Sequence, residues 1–150
     1  MPEPTRKCSI CQRLSRWRSG RNPYFIHEFE YCIFVVGDHQ FHQGYSLLLL
    51  KEHAEDLQAL PPLVQSGMFE ELMTASRAVV AAFAPRRMNY SCYGNAEPHI
   101  HWHLFPRYED DPERLDHPWL HAGEFEHHRI DASTALEYSA RLRESLLGLL

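Results

Sequence analysis

The stretch EPHIHWHLFPR, residues 97 to 107, restricts the fold most strongly, because histidine occupies every second position over five residues. Successive side chains of a β-strand point to opposite faces of the sheet. A strand here would place His99, His101 and His103, which we call the histidine row, on one face. The apolar side chains between them would point into the core. Strand surfaces that face water usually carry Thr, Lys, Glu or Arg, so three aligned imidazoles indicate a functional face.

The remaining pattern predicts an α+β fold, an antiparallel sheet with helices packed on it. Strand-like segments occur in pairs, and each pair is followed by a segment with helical spacing or an N-cap candidate. Neither pair has room for a crossover helix, which a parallel sheet would require. The predicted strands cover residues 30–38, 45–53, 88–95 and the histidine row, and the predicted helices cover residues 66–85 and 133–150.

Length, charge and hydropathy restrict the class of protein. A chain of 150 residues is expected to form one domain over 1–150. The formal net charge of −5 argues against stable nucleic-acid binding. The longest apolar run, LLLL at residues 47 to 50, is far shorter than the roughly 20 residues of a membrane-spanning helix. The first residues lack the apolar centre of a secretory signal, so we expect a cytoplasmic protein without membrane association.

The four cysteines fall into two groups. In a reducing compartment disulfides are not expected. Cys32 and Cys92 lie in strand-like segments and are expected to be small core residues. Cys8 and Cys11 form a C-x-x-C pair, which at that spacing supplies half of a tetrahedral zinc site.

Two kinds of chemistry fit the histidine row when it is considered alone. Three imidazoles on one face could hold a catalytic metal with one position open for water. Alternatively, the middle histidine could be a nucleophile while a neighbour handles protons near neutral pH. The spacing allows both mechanisms.

A family resemblance favours the second mechanism. HIHWHLFPR has the form H-φ-H-φ-H-φ-φ, where φ is an apolar residue, and resembles the signature of the histidine triad family of nucleotide hydrolases and nucleotidyl transferases. GYSLLLLKEHAEDLQAL resembles that family's apolar strand followed by Lys-x-His. CSIC resembles the cysteine pair of its zinc-containing bacterial members. The resemblance implies a domain core over about 8–108, with a C-terminal loop and helix over 109–150.

The resemblance also implies roles for individual residues. His101 would attack the α-phosphorus of a nucleotide, of dinucleoside polyphosphate or nucleoside phosphoramidate type, and form a covalent nucleotidyl-histidine. His103 would hydrogen-bond to the phosphate or leaving-group oxygen. Asp38 would occupy the acidic position that binds ribose. Asn95 would supply the amide of the loop GNAEPHIH, which is shorter here than in many relatives.

A structural zinc and a homodimer are implied by the same resemblance. The zinc ligands would be Cys8, Cys11, His53 and His99, which would join the N-terminus to the catalytic strand. Two other functions remain open: a metal-dependent phosphoesterase that uses all three histidines as ligands, and a non-catalytic nucleotide-binding module that kept the fold and lost turnover.

Overall fold

Five antiparallel strands form one sheet in the order β1-β2-β3-β5-β4 in a computed structural model that describes residues 8–18, 20 and 22–150. The predicted α+β fold is confirmed. The strands are β1 Phe25–Glu28, β2 Cys32–Val36, β3 Ser46–Leu50, β4 Arg87–Ser91 and β5 His101–Arg107, and the α-helices are α1 Ser9–Arg18, α2 Pro62–Phe83 and α3 Ala132–Leu147.

The central strands β2 and β3 are buried on both faces. Phe34 and Leu48 point into a cluster with α2 and α3, whereas Val35 and Leu49 point into a cluster with α1. Strands that are covered on both sides are apolar throughout rather than alternating. This explains the continuous runs CIFVV and SLLLL in the sequence.

The predicted helix boundaries are shifted in the structure. α2 begins at Pro62 rather than Ser66, with its proline in the first turn, where the missing N–H costs no helical hydrogen bond. α3 is capped by Asp131 instead of Ser133, because the Asp131 side chain accepts a hydrogen bond from the Thr134 backbone N–H at 2.8 Å. Buried Leu142 and Leu146 place α3 on the same face of the sheet as α2.

The second face of the sheet carries the histidine row and is covered by segments that the sequence did not predict as helices. α1 covers one part of it, and the 3₁₀ segment Pro118–His128 covers another through Phe125, which is 7% exposed. Buried Arg107 fixes the acidic loop between β5 and this segment, because its guanidinium donates to the Asp111 carboxylate at 2.9 Å and to two backbone carbonyls. The histidine row is therefore a covered face rather than an open one.

None of the helices among the described residues combines the length and the apolarity that crossing a bilayer requires.

Candidate functional site

The structure brings together the four residues that the sequence assigned to zinc. Cys8 precedes α1, Cys11 lies in its first turn, His53 follows β3, and His99 precedes β5. The His99 Nδ1 atom lies 3.5 Å from the sulfurs of Cys8 and Cys11 and 3.2 Å from the His53 Nδ1 atom. The Cys11 sulfur also lies 3.5 Å from the His53 Nδ1 atom. Zinc bonds of about 2.3 Å to sulfur and about 2.0–2.1 Å to nitrogen place neighbouring tetrahedral ligand atoms roughly 3.3–3.8 Å apart. The donor set fits zinc in both type and spacing.

A hydrogen bond on the far side of His99 supports this assignment. The His99 Nε2 atom lies 2.6 Å from the backbone carbonyl oxygen of Leu50. A carbonyl oxygen only accepts, so Nε2 carries the proton and Nδ1 presents its lone pair to the two sulfurs. Metal-binding histidines commonly have this outer hydrogen bond, which fixes the ring. Burial lowers the pKa of His99, which also favours the neutral form that binds metal.

His101 has a different hydrogen-bond partner. Its Nδ1 atom lies 2.6 Å from the backbone carbonyl oxygen of His99, so Nδ1 donates a proton and Nε2 keeps a lone pair. His101 is 9% exposed and lines a cavity. Among the described residues, the groups with metal-binding geometry include His99 but neither His101 nor His103. The three histidines therefore do not converge on one metal position.

His103 is enclosed by aromatic side chains. Its Nδ1 atom lies 2.7 Å from the Tyr45 phenol oxygen, and Trp119 meets its ring edge-on at 4.8 Å between centroids. The rings of His103 and His101 lie 4.9 Å apart. Burial, together with nearby His101 and His39, lowers the pKa of His103 to about 3. The imidazole of His103 is consequently neutral at physiological pH.

The cavity beside His101 has a volume of about 180 Å³ and lies between α1 and the sheet. Ile10, Leu47 and Leu49 supply apolar walls, whereas Arg13, Asp38 and Glu97 supply charge at its edge. A flat apolar group could lie between α1 and the sheet with its polar end toward His101. A larger cavity of about 620 Å³ runs along β4 beyond Trp119, and its described lining contains neither His101 nor His103.

The two predicted substrate-binding residues are placed differently. Asp38 lines the His101 cavity, where its carboxylate forms a two-point ion pair with the Arg13 guanidinium, one contact of which measures 3.0 Å. Asn95 is exposed in a bend of the loop before β5, and it is Glu97 from that loop that lines the cavity.

Sequence reasoning did not identify Arg13, Tyr45 or Trp119 as residues of this site. Arg13 lies five residues after Cys8, so a helix that starts at the cysteine pair would have placed Arg13 just over one helical turn beyond Cys8. Tyr45 and Trp119 carry no sequence signal of their own, because their contacts with His103 depend on folding of the chain.

Comparisons with known proteins agree with this geometry. Residues 21–110 match the HIT domain family. The chain is 28% identical over 110 residues to adenylylsulfatase HINT3 of Arabidopsis thaliana, covering 69% of this chain and 54% of the relative. The chain thus spans about half the length of that curated relative.

Solved structures show the same fold. A Zn-bound histidine triad family protein from Mycobacterium smegmatis superposes with a TM-score of 0.69 at 25% identity, over 95% of each chain. A histidine triad protein from Sinorhizobium meliloti gives a TM-score of 0.73 at 18% identity, over 95% of this chain and 99% of that one.

Proposed function

Because the chain belongs to the histidine triad family, we propose that it is a nucleotide hydrolase or nucleotidyl transferase that acts at an α-phosphate. The observation that carries this proposal is the orientation of His101. Its Nδ1 proton is held by the His99 carbonyl at 2.6 Å, and its ring lines the cavity beside α1. A neutral imidazole with a free Nε2 lone pair is a competent nucleophile at neutral pH.

The reaction would proceed in two displacements. The Nε2 atom of His101 forms a bond to the α-phosphorus while the bond to the leaving group breaks, and the leaving group takes the electron pair. Water then attacks the phosphorus, the phosphorus–nitrogen bond breaks, and a nucleoside monophosphate leaves. A tethered nucleophile replaces one hard displacement by two easier ones, and His103 lies beside it to donate a hydrogen bond.

The substrate would be a nucleotide with an activated α-phosphate. Dinucleoside polyphosphates, nucleoside phosphoramidates and, by analogy with the adenylylsulfatase relative, nucleoside phosphosulfates share that group. The ribose would approach Asp38 and exchange with the Arg13 guanidinium, whose side chain is 38% exposed. Asn95 would have to turn inward to reach the phosphate, and its role remains a proposal.

We propose that zinc is bound by Cys8, Cys11, His53 and His99 and that it is structural. Four protein ligands fill a tetrahedral site and leave no position for water, which distinguishes structural from catalytic zinc. The two thiols must be ionised to bind it. A reducing, cytoplasmic location would keep both thiols reduced.

A homodimer completes the proposal. β4 is an edge strand of the sheet, so its outer backbone groups have no partner strand among the described residues. Val80, Tyr90 and Leu149 line a groove beside it and are 44%, 41% and 46% exposed. Two copies that meet at this edge would cover these apolar side chains. Analytical ultracentrifugation measures whether the chain is a dimer in solution.

Turnover and trapping test the mechanism together. The purified protein is incubated with the three substrate classes, and the nucleotide product is quantified. Acid-free mass spectrometry of the intact chain then detects a nucleotidyl adduct. His101→Ala should lower kcat by more than about 10³-fold and abolish the adduct, because no other group replaces the nucleophile. His27→Ala, which changes a half-buried histidine of β1, is the matched control.

Three results would contradict the proposal. Residual activity of His101→Ala within tenfold of the natural chain would exclude a covalent route through this residue. Nucleotide binding by the natural chain without adduct or turnover would identify a non-catalytic module. Immediate loss of all turnover on brief chelation, with the fold intact, would favour a metal-dependent phosphoesterase.

A further inference from the structure

Tyr45 is a buried tyrosine that no part of the proposed mechanism yet uses. It directly precedes β3 and is 4% exposed. Its ring stacks with the rings of His39 and Phe105, with centroid distances of 4.6 and 4.4 Å. A Cβ atom at Gly37 would lie 2.2 Å from the Tyr45 ring, so only glycine allows this close approach. The phenol is thus held in one position.

The phenol oxygen contacts one of the two ring nitrogens of His103. The Tyr45 oxygen lies 2.7 Å from the His103 Nδ1 atom. Burial raises the pKa of the Tyr45 phenol far above the physiological range, so the O–H is retained. Among the described residues, no second acceptor lies within hydrogen-bond distance of this phenol oxygen.

The direction of this hydrogen bond determines the tautomer of His103. A protonated phenol must donate, and its only acceptor among the described groups is the Nδ1 lone pair. A neutral imidazole carries one proton, so the proton of His103 lies on Nε2. The opposite direction, with Nδ1–H donating to the phenol oxygen, would leave the phenol hydrogen buried without a partner, which is costly.

The surroundings of His103 oppose a second proton. Trp119 and Phe105 cover the ring at centroid distances of 4.8 and 5.8 Å, and His101 lies at 4.9 Å. The titratable groups that face His103 are His101 of β5, Tyr45 before β3, and His39 of the preceding loop. None of these described groups is a carboxylate, so none of them stabilises an imidazolium by its charge.

We propose that Tyr45 is a positioning residue that holds His103 as a neutral hydrogen-bond donor through Nε2, and that the enzyme therefore favours leaving groups that depart as anions over amines. The inference rests on the proposed function, because it assumes attack by His101. When the phosphorus–oxygen bond to a sulfate or phosphate breaks, the leaving oxygen keeps the electron pair and needs only a hydrogen bond. When a phosphorus–nitrogen bond breaks, the amine needs a proton, which neutral His103 cannot supply without becoming an imidazolate.

This inference selects among the candidate substrates. Mixed anhydrides, such as nucleoside phosphosulfates and dinucleoside polyphosphates, fit a neutral donor. Nucleoside phosphoramidates with alkylamine leaving groups require a general acid. The natural chain should therefore have a kcat/KM for the phosphosulfate at least about 10²-fold above that for the phosphoramidate, the lower range of general acid catalysis.

Nitrogen NMR of the free protein tests the tautomer without any turnover. With ¹⁵N-labelled histidine, the His103 Nε2 resonance at pH 7 should have the shift of a protonated nitrogen and the Nδ1 resonance that of an unprotonated one. Tyr45→Phe keeps the ring and removes the hydroxyl, and it should give a mixture of the two tautomers. Tyr138→Phe, which removes a hydroxyl that accepts from the Gln43 side chain at 3.3 Å, should leave His103 unchanged.

Kinetics test the consequence for the leaving group. Tyr45→Phe should lower the phosphosulfate-to-phosphoramidate ratio of kcat/KM by more than about twofold, because the fraction of His103 that carries its proton on Nδ1 has no hydrogen on Nε2 to donate to the leaving oxygen. In a His103→Ala background the same substitution should change kcat/KM less than about twofold, because Tyr45 acts through His103.

Each outcome decides a separate question. An Nδ1–H tautomer or an imidazolium in the natural chain overturns the inference, whether or not the protein turns over nucleotides. Equal losses for both substrates, or equal losses with and without His103, assign Tyr45 a purely structural role and also overturn it. Turnover of neither substrate, with the Nε2–H tautomer observed, supports the tautomer and instead refutes the proposed function.

Discussion

Removal of the metal should undock α1 while leaving the sheet folded. The perturbation is Cys11→Ser, which replaces one sulfur of the Cys8, Cys11, His53 and His99 cluster by a weaker ligand. Cys92→Ser is the matched control, because Cys92 is a half-buried cysteine outside the cluster. Metal analysis should give about one zinc per chain for the control and much less for Cys11→Ser.

The size of the expected loss of α1 docking follows from the free-energy terms that hold α1 on the sheet. Ordering the backbone of its 10 residues costs about 10–20 kcal/mol, at about 1–2 kcal/mol each. Burial of Ile10 and Leu14, which are 5% and 3% exposed, returns only about 3–6 kcal/mol. A structural zinc contributes about 10–16 kcal/mol, so docking is balanced with the metal and strongly unfavourable without it.

Hydrogen exchange measures this effect segment by segment. In Cys11→Ser the amides of Ser9–Arg18 should exchange at rates close to those of an unfolded chain, whereas β2 and β3 should retain their protection. His99→Ala should behave like the cysteine variant, although His99 precedes β5, the strand that carries the proposed nucleophile His101. Protection of α1 that persists in a zinc-free sample would refute the reasoning, and so would full zinc content in His99→Ala.

Two further predictions concern charge. Arg13→Ala should tighten binding of a nucleoside monophosphate by up to about fivefold, because ribose then meets a free Asp38 carboxylate instead of an ion pair worth about 0.2–1 kcal/mol. Asp38→Asn should weaken binding of the same nucleotide, and calorimetry measures both variants. Weaker binding by Arg13→Ala would contradict the prediction and show that Arg13 itself contacts the ligand. Burial lowers the pKa of His39 to about 4, so between about pH 6.5 and 4 the unfolded chain binds more protons than the folded chain. The contribution of His39 to stability is therefore present above this pH range and is lost as the pH falls through it. His39→Phe should reduce the pH slope of the free energy of unfolding by up to about 1.36 kcal/mol per pH unit in urea titrations, and an unchanged slope would show that His39 does not titrate on unfolding.

Local patterns in the sequence determined much of the fold. The period of two in residues 99–104 correctly placed Ile100 and Leu104 in the core with α2, because alternation of strand faces depends only on neighbouring residues. Helical spacing located α2 and α3 to within four residues. α1 and β1 were missed, because each is short and only its contacts with the sheet distinguish it from a loop.

The types of residue in the site were also readable from the sequence. The C-x-x-C pair, Lys-x-His and the histidine row, read through the family resemblance, predicted four zinc ligands and a nucleophile, and the structure brings the four predicted ligands together. Residue types restrict chemistry, and sequence resemblance assigned the ligands to segments. The different roles proposed for the three histidines could not be derived from their spacing, because the spacing is the same for all three.

Only the tertiary structure determined which group each histidine contacts. His99 turns to Cys8 across 91 residues of sequence, and His103 turns to Tyr45 across 58. Such partners are set by sheet register, here Leu47 opposite His103, and by the docking of α1 on the sheet. A proton on Nδ1 or Nε2 depends on whether the nearest group accepts or donates, and that neighbour is chosen by the whole fold rather than by adjacent residues.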